Sequence, residues 1–250
     1  MKQQALLTTS WDDGNPLDFR VAEMLHEHGL TGTFYIPRNA ATGTMSAAQV
    51  RQLSEMVEIG SHTIDHTFLD EVDEDTARLQ IIDSKKWVED LTGNPCPMFC
   101  PPGGKFADRD LEIIRDAGYS ALRSVELLSL DYPRDLGRGL SLLPTTIHAF
   151  PQPPQAYIKN ALKRRNATNL WRFITHGLAM DWTRIADSML DFTVTRGGVF
   201  HLWGHSWELQ ETAQWNRLER VFQLMSIGAR STRCVTNGEL VGNKHHAIAA

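Results

Sequence analysis

The sequence predicts an α/β protein: a single domain of 250 residues with the architecture of a (β/α) barrel. Short apolar runs of strand length alternate along the chain with helical patterns of about 10–15 residues, which is typical of parallel βα units. About seven or eight such units fit in this length, and that is the size of a barrel. An open doubly wound sheet is the alternative. However, the first predicted strand is not followed by the Gly-rich loop of nucleotide-binding folds.

The first units of the chain are the most regular. Residues 5–10 form a short run that favours a buried strand, and residues 17–28 place apolar side chains at helical spacing. Residues 31–36 are β-branched and aromatic, which favours a second strand. The next helix is predicted over 46–58, with Ser46 as its N-cap. The alternation then continues with strands predicted at 58–62, 98–100 and 119–124 and helices at 73–91 and 108–117.

The second half of the chain is less regular. Residues 126–154 are rich in Pro and Gly, which predicts a long loop region that contains one strand, at 143–148. Beyond it we expect helices at 155–165, 181–195 and 212–226 and strands at 170–175, 198–203 and 233–236. Residues 241–250 are expected to be a flexible tail.

Composition excludes several classes of protein. The net charge of −5, from 25 basic and 30 acidic residues, argues against binding nucleic acid by charge alone. No apolar stretch approaches the ~20 residues of a membrane span, and the apolar start at residues 5–7 is too short for a secretory signal. Three cysteines make no paired framework, which suits a reducing compartment. The chain is therefore expected to be cytoplasmic, with no nucleic acid or membrane as partner and its oligomeric state left open.

Two predicted strand ends have unusual chemistry, and in a barrel the reactive side chains lie at such ends. Asp12 and Asp13 follow the first strand, where adjacent carboxylates need a cation or a donor to stay ionised. A plain turn is the alternative, since Asp-Gly is a common turn pair. His62 and His66 follow the third strand at a spacing that lets two histidines share a metal. Two histidines and one carboxylate form a catalytic zinc set, which leaves the second carboxylate as a base.

A late strand ends in a third unusual segment. It places His201 and Trp203 on one face, with His205 in the loop beyond and Trp207 close by. A loop histidine beside two tryptophans favours an acid in an aromatic pocket of sugar size. For His201 the preferred interpretation is a buried histidine with satisfied hydrogen bonds.

Taken in order, these motifs resemble the polysaccharide deacetylase family, the metal-dependent carbohydrate esterases that include chitooligosaccharide deacetylases. The matching segments are TSWDDG at 9–14, TGTFY at 31–35, HTIDH at 62–66, FCPPGG at 99–104 and WGH at 203–205. The resemblance implies a distorted (β/α)7 barrel. It also implies a single divalent metal, expected to be Zn²⁺, and no organic cofactor.

The resemblance also implies a role for each site residue. Asp13, His62 and His66 would hold the metal, Asp12 would be the base and His205 the acid. The substrate would contact Trp203, Trp207 and the turn at Pro102 and Gly103, where a backbone N–H would stabilise the oxyanion.

The sequence departs from the family pattern in two places. The third motif usually begins with an arginine that orients the catalytic aspartate, and here Cys100 stands in that position as an expected inert wall residue. The fourth motif usually supplies an aspartate and a tryptophan that tune the acid histidine, and residues 121–126 contain neither. We expect Arg123 to replace the missing arginine, because a base beside a dication needs a fixed charged partner.

The function expected from the sequence is hydrolytic removal of an N-acetyl group from an N-acetylated sugar or saccharide conjugate, with release of acetate. Two alternatives stay open at this point. One is a metal-dependent hydrolase of a non-sugar amide or a cyclic imide. The other is a saccharide-binding pseudoenzyme that became inactive when the third-motif arginine was lost.

Overall fold

The computed structural model describes residues 4–177 and 181–247. Its strands are β1 (Ala5–Asp12), β2 (Thr33–Ile36), β3 (Glu58–Ser61), β4 (Met98–Phe99), β5 (Ala121–Arg123), β6 (Arg134–Asp135), β7 (Ser141–Leu143), β8 (Ile147–His148), β9 (Gly198–Gly204) and β10 (Arg233–Cys234). Its helices are α1 (Asp18–Glu27), α2 (Ala47–Ser54), α3 (Glu74–Thr92), α4 (Asp108–Asp116), α5 (Pro154–Lys163), α6 (Ala167–Arg172), α7 (Trp182–Arg196), α8 (Ser206–Glu211), α9 (Trp215–Ala229) and α10 (Asn237–Ala247). Short 3₁₀ turns span Leu69–Glu71 and Pro102–Gly104, and a π-helical turn spans Phe173–Gly177.

The strands form one curled sheet in the order β6-β7-β5-β4-β3-β2-β1-β9-β8, with β10 paired beside the start of β1. Of these neighbours, β6 and β7 are antiparallel and the others parallel. Residues 141–148 close the barrel, because their first part pairs with β5 and their last part with β9. Pro144 divides this segment, since proline has no N–H to donate to a ladder. The predicted α/β fold, a distorted (β/α)7 barrel, is confirmed.

Strand β1 lies inside the sheet and pairs with β2 on one side and β9 on the other. Its side chains alternate between two cores, as the two-residue period of a strand requires. Leu7 and Trp11 belong to the large apolar core under the helices. Leu6 belongs to the small core inside the barrel, where the Ser10 hydroxyl lies 2.8 Å from Nε2 of His201. This alternation brings Asp12 to the inner end of the barrel.

Local signals explain where the helices begin and end. Ser46 caps α2 in a capping box with Gln49, and Asp73 caps α3 by accepting from the N–H of Thr76. Gly93 ends α3 with a φ of 70°, a conformation that glycine adopts without strain. Among the helices of residues 4–177 and 181–247, none has both the length and the apolar character of a membrane span.

The structure differs from the sequence prediction in several segments. Residues 126–154, predicted to contain one strand at 143–148, contain β6, β7 and β8, and Pro144 separates the last two. The strand predicted at 170–175 is wrong: these residues lie in α6 and the π-helical turn, where Phe173 stacks on Tyr157 of α5. A short apolar run does not by itself distinguish a strand from a buried helix. Residues 206–211 form α8, which the sequence analysis missed. Residues 241–247, placed in a flexible tail, continue α10, and Val241 is buried there.

The close packing of β3 against β2 gives a first prediction. A Cβ on Gly60 would lie 2.6 Å from the ring of Tyr35, whose hydroxyl accepts a hydrogen bond from Asn237. Because this buried ring is fixed at both ends, we expect Gly60→Ala to lower the free energy of unfolding by about 1–3 kcal/mol. Denaturant unfolding measures the loss. Gly242→Ala is the matched control, since no atom lies within 4 Å of its Cβ, and equal stability of the two variants would contradict this packing.

Candidate active site

The carboxyl ends of neighbouring strands bring the predicted site residues to one end of the barrel. The residues that meet there are Asp12 at the end of β1 and Asp13 after it, His62 and His66 after β3, Cys100 after β4, Arg123 at the end of β5 and His205 after β9. Because these strands are parallel neighbours, side chains that are far apart in sequence become adjacent. This convergence is the one expected from the positions of the motifs at predicted strand ends.

Asp13, His62 and His66 form a set that fits a divalent metal. Oδ1 of Asp13 lies 3.5 Å from Nε2 of His62 and 3.0 Å from Nε2 of His66. Ligand atoms in a tetrahedral zinc site are about 3.3 Å apart. Nδ1 of His62 donates to the carbonyl of Cys100 at 2.6 Å, which fixes the ring with its Nε2 towards Asp13. Oδ1 of Asp13 is buried without a hydrogen-bond donor, so a cation is the partner that this oxygen lacks.

Two other groups of ligand-type side chains fit a metal less well. In the first, His148, His205 and Glu208 meet at 2.6 and 2.9 Å, which are hydrogen-bond distances. In the second, Asp12 lies with His62 and Cys100 but is already paired with Arg123, whose charge repels a cation. Among the described residues, the Asp13 set is therefore the best candidate for a metal centre.

The backbone beside this set is held in an uncommon conformation. Asp13, Thr63 and His66 have φ values of 77°, 63° and 52°, in the left-handed region. Such conformations cost on the order of 1–3 kcal/mol each and persist where the surroundings impose them. The N–H of Asp13 donates to the carbonyl of Tyr35 at 3.1 Å, which fixes the turn after β1. Asp13 thus breaks the alternation of β1, and its carboxylate comes to lie beside the two histidines.

Charges around Asp13 keep it ionised. Burial alone would raise the pKa of its carboxyl, but the interactions with His62 and His66 outweigh burial and hold the pKa well below its usual range. Oδ2 accepts a hydrogen bond of 2.8 Å from the indole N–H of Trp207. Asp13 is therefore a carboxylate at neutral pH, which is the form that binds a metal.

Arg123 lies on Asp12, as the sequence analysis predicted. Its guanidinium is fully buried and donates to Oδ2 of Asp12, and it also contacts Sγ of Cys100 at 2.9 Å. The guanidinium is 4.7 Å from the ring centroid of Trp203 and 5.4 Å from that of Tyr35. Burial raises the pKa of the Cys100 thiol, so the thiol is protonated. The small cysteine on β4 leaves the space through which the arginine of β5 reaches the carboxylate.

His205 has a carboxylate partner that the sequence analysis missed. Nδ1 of His205 lies 2.6 Å from Oε2 of Glu208, and this oxygen is also 2.9 Å from Nε2 of His148. Burial alone would raise the pKa of Glu208, but these two histidines outweigh it and lower the pKa to about 2. Burial alone would lower the pKa of His205, yet Glu208 and Asp12 raise it. The available signal was the spacing of three residues, which places Glu208 in the first turn of α8 beside His205.

The two tryptophans predicted to contact substrate differ in exposure. Trp203 is only 8% exposed, with His148 stacked 4.0 Å from its ring and Arg123 on it. Trp203 therefore positions these two residues, and its ring has little surface left for a ligand. Trp207 is partly exposed and lies 5.5 Å from the ring of His205.

Further aromatic rings border the site. Phe68 lies 6.0 Å from the ring of His66, and Phe150 lies 5.5 Å from that of His148, both partly exposed. Phe68 also lies beside the turn after β4, where Pro102 is buried and Gly103 is exposed with a φ of 60°. No sequence motif singled out either phenylalanine.

Comparison with known proteins agrees with this geometry. Residues 2–122 match the family model described as polysaccharide deacetylase. Over these residues the chain is similar to the polysaccharide deacetylase family. Two peptidoglycan-N-acetylglucosamine deacetylases of Bacillus cereus are similar to it, with 27% identity over 122 residues and 29% over 111 residues. These alignments cover 48% and 44% of this chain and 56% and 40% of the relatives, so the match spans about half the length of each.

Solved structures of polysaccharide deacetylase type share the fold over almost the whole chain. A candidate polysaccharide deacetylase from Mycobacterium smegmatis has a TM-score of 0.67 and 15% identity, with 97% of this chain and 91% of that chain covered. The chitin deacetylase of Colletotrichum lindemuthianum has a TM-score of 0.61 and 14% identity, with coverage of 96% and 89%. A CE4 family pseudoenzyme from Bacillus anthracis has a TM-score of 0.56 and 14% identity, with coverage of 96% and 66%. At these identities the likeness shows the fold.

The buried ion pair of Arg123 and Asp12 gives a second prediction. We expect Arg123→Ala to lower the free energy of unfolding by about 3–5 kcal/mol, because it leaves the Asp12 carboxylate buried and unpaired. Arg123→Lys should also be destabilising, since an ammonium lacks the planar fork that lies against Trp203. Denaturant unfolding measures both losses.

Two further variants complete this measurement. Adding Asp12→Asn to Arg123→Ala should recover part of the loss, because the buried charge is then removed. Arg78→Ala is the control, since it breaks an exposed ion pair with Glu74 and should cost less than about 1 kcal/mol. Strictly additive losses at Asp12 and Arg123 would contradict the pairing.

Proposed function

We propose that this protein is a metal-dependent deacetylase that removes the N-acetyl group from an N-acetylated sugar or saccharide conjugate and releases acetate. The observation that supports it most directly is the juxtaposition of three devices at one end of the barrel. The first is the metal-type set of Asp13, His62 and His66. The second is the carboxylate of Asp12, which is paired with a buried arginine, and the third is the imidazole of His205, which is paired with Glu208. Together these groups provide the electrophile, base and acid that amide hydrolysis requires.

The chain's own residues have distinct roles in this proposal. Asp13, His62 and His66 would hold a metal, for which we propose Zn²⁺, and the metal would supply polarisation of the amide carbonyl and a lowered pKa of water. Asp12 accepts the proton of the attacking water, and Arg123 pairs with this base and orients it. His205, whose Nε2 lies 3.9 Å from Oδ2 of Asp12, donates a proton to the departing amine. Glu208 holds the His205 ring through Nδ1, so Nε2 faces the reacting atoms.

The turn after β4 supports the same reaction. Pro102 has no N–H, and the N–H of Gly104 donates to the carbonyl of Pro101 at 2.9 Å. Gly103 is therefore the residue of this turn whose N–H we assign to the developing oxyanion. The partly exposed rings of Phe68, Phe150 and Trp207 offer flat apolar faces of the kind that pack against sugar rings.

The geometry favours an enzyme over a saccharide-binding pseudoenzyme. The sequence analysis considered a pseudoenzyme because Cys100 replaces the arginine of the third motif. Arg123 supplies a buried guanidinium to Asp12 from the neighbouring strand, so the base has a charged partner despite that replacement. A non-sugar amide or imide stays as the alternative substrate, and a direct assay separates the two classes.

The experiment that tests this function combines metal content with product release. Metal-free protein is reconstituted with Zn²⁺ and assayed for acetate release from N-acetylglucosamine oligomers. Cyclic imides and simple acetamides are assayed in parallel for ring opening and acetate release. We expect activity on the oligomers, and loss of both metal and activity in the double variant His62→Ala, His66→Ala. Hydrolysis of imides alone, or saccharide binding without turnover, would overturn the proposal.

A companion variant isolates the base. Asp12→Asn should retain the metal and lose on the order of 10²–10⁴ in kcat, the usual contribution of general-base catalysis. Retained metal distinguishes loss of the base from collapse of the metal set. Near-normal turnover in this variant would place the base elsewhere.

The Glu208–His205 contact gives a pH prediction. The carboxylate raises the pKa of His205, so this acid stays protonated to higher pH than it would alone. Glu208→Gln removes the charge but retains an oxygen that accepts from Nδ1, and we expect the pKa of His205 to fall. The alkaline limb of the kcat profile, where the acid loses its proton, should then shift to lower pH. Glu211→Gln, at an exposed position of the same helix, should leave the limb unchanged, whereas equal profiles for both variants would contradict this role.

A further inference from the structure

Helix α8 contacts the metal-type set through a residue that neither the sequence motifs nor the proposed reaction uses in this way. The indole Nε1 of Trp207 donates to Oδ2 of Asp13 at 2.8 Å. The preceding residue, Ser206, donates to Oδ1 of the buried Asp18 at 2.5 Å, which ties the start of α8 to α1. The first turn of α8 is thus fixed at a second point, and the direction of the indole N–H is fixed with it.

The two oxygens of Asp13 therefore have different environments. Oδ2 is occupied by a donor that carries one N–H and has no lone pair to bind a metal. Oδ1 has no hydrogen-bond donor and lies 3.0 Å from Nε2 of His66. An aspartate with both oxygens free can rotate or bind a metal through both, which changes the geometry of the site. The indole removes that freedom from one oxygen only.

We propose that Trp207 is a positioning residue of the metal centre: its N–H holds Oδ2 so that Asp13 presents Oδ1 as a single ligand oxygen. Outer partners of this kind orient a ligand, and their loss typically costs about 10–100-fold in metal affinity. This inference rests on the proposed metal site. If Trp207 has this role, α8 contributes to the metal affinity. The same helix begins directly after His205 and contains Glu208, which holds the ring of that acid.

A pair of substitutions separates the N–H of Trp207 from the bulk of its ring. Trp207→Phe keeps an aromatic ring and removes the donor. Trp207→Gln removes the ring but keeps an N–H donor the same number of bonds from Cβ as the indole nitrogen. Trp171→Phe is the matched control, because this tryptophan is 65% exposed on α6.

The measurement is the Zn²⁺ dissociation constant, obtained by competition with a chromophoric chelator, together with the melting temperature of each metal-free protein. We expect Trp207→Phe to weaken Zn²⁺ binding by about 10–100-fold while Trp207→Gln recovers part of the loss. The control should bind as the unaltered protein does. A role in packing alone predicts the reverse order, with Gln worse than Phe and both lowering the melting temperature in proportion. That order, or unchanged affinity in Trp207→Phe, overturns the inference.

The same titration distinguishes failure of this inference from failure of the proposed function. Asp13→Ala and the double variant His62→Ala, His66→Ala should bind Zn²⁺ far more weakly than the Trp207 variants do. If these ligand variants lose the metal and Trp207→Phe does not, the proposed centre stands and the role of Trp207 is wrong. If the ligand variants bind Zn²⁺ normally, the proposed function fails first. If Trp207→Phe does not fold, Trp207→Gln decides alone, since unchanged affinity supports the donor role and a 10–100-fold loss opposes it.

Discussion

Two adjacent carboxylates buried at the end of one strand impose the main constraint on this molecule. Asp12 and Asp13 are each about 3% exposed, and neither can stay ionised there without its own compensating partner. Each carboxylate has its own partners: Asp12 pairs with a guanidinium from β5, and Asp13 contacts two imidazoles and accepts a hydrogen bond from an indole. The left-handed backbone at Asp13 separates the two carboxylates, so each can meet its own partners. Much of the barrel end is arranged around these two requirements.

The replacement of the third-motif arginine shows how such a requirement survives a change of sequence. A charged partner for Asp12 is needed, but the strand that supplies it is not fixed. Cys100 is small and neutral, and the fully buried guanidinium of Arg123 occupies the space between it, Asp12 and the ring of Trp203. His205 shows the same principle, since Glu208 lies three residues further along the chain rather than on another strand. In both cases the electrostatic role is retained while its position in the chain changes.

Sequence patterns predicted the parts of the site that are local or tied to strand ends. The first strand, the carboxylate pair and the His62–His66 spacing follow from periodicity and the parallel arrangement of strands. The meeting of Arg123 with Asp12 was expected from the family resemblance, because Cys100 stands where the third-motif arginine usually lies. Glu208 was missed because its role depends on α8, a helix of six residues that is too short to show an apolar periodicity in the sequence. The strand predicted at 170–175 failed because burial of Phe173 against Tyr157 is a tertiary contact. Trp203 was assigned to substrate because its covering by His148 and Arg123 is likewise invisible in the sequence.

The segment 141–148 that closes the barrel has a consequence for motion. It pairs at its start with β5, which ends in Arg123, and at its end with β9, which leads to His205. His148, its last residue, also shares the carboxylate of Glu208. Pro144 removes one donor from the ladder, but the N–H groups of Thr145 and Thr146 donate to the carbonyls of Glu126 and His201, so this seam is held on both sides. Each opening of the seam would disturb Arg123, the partner of the base, and Glu208, the partner of the acid, at the same time. We therefore expect faster amide exchange along 141–148 to be accompanied by a less competent catalytic pair.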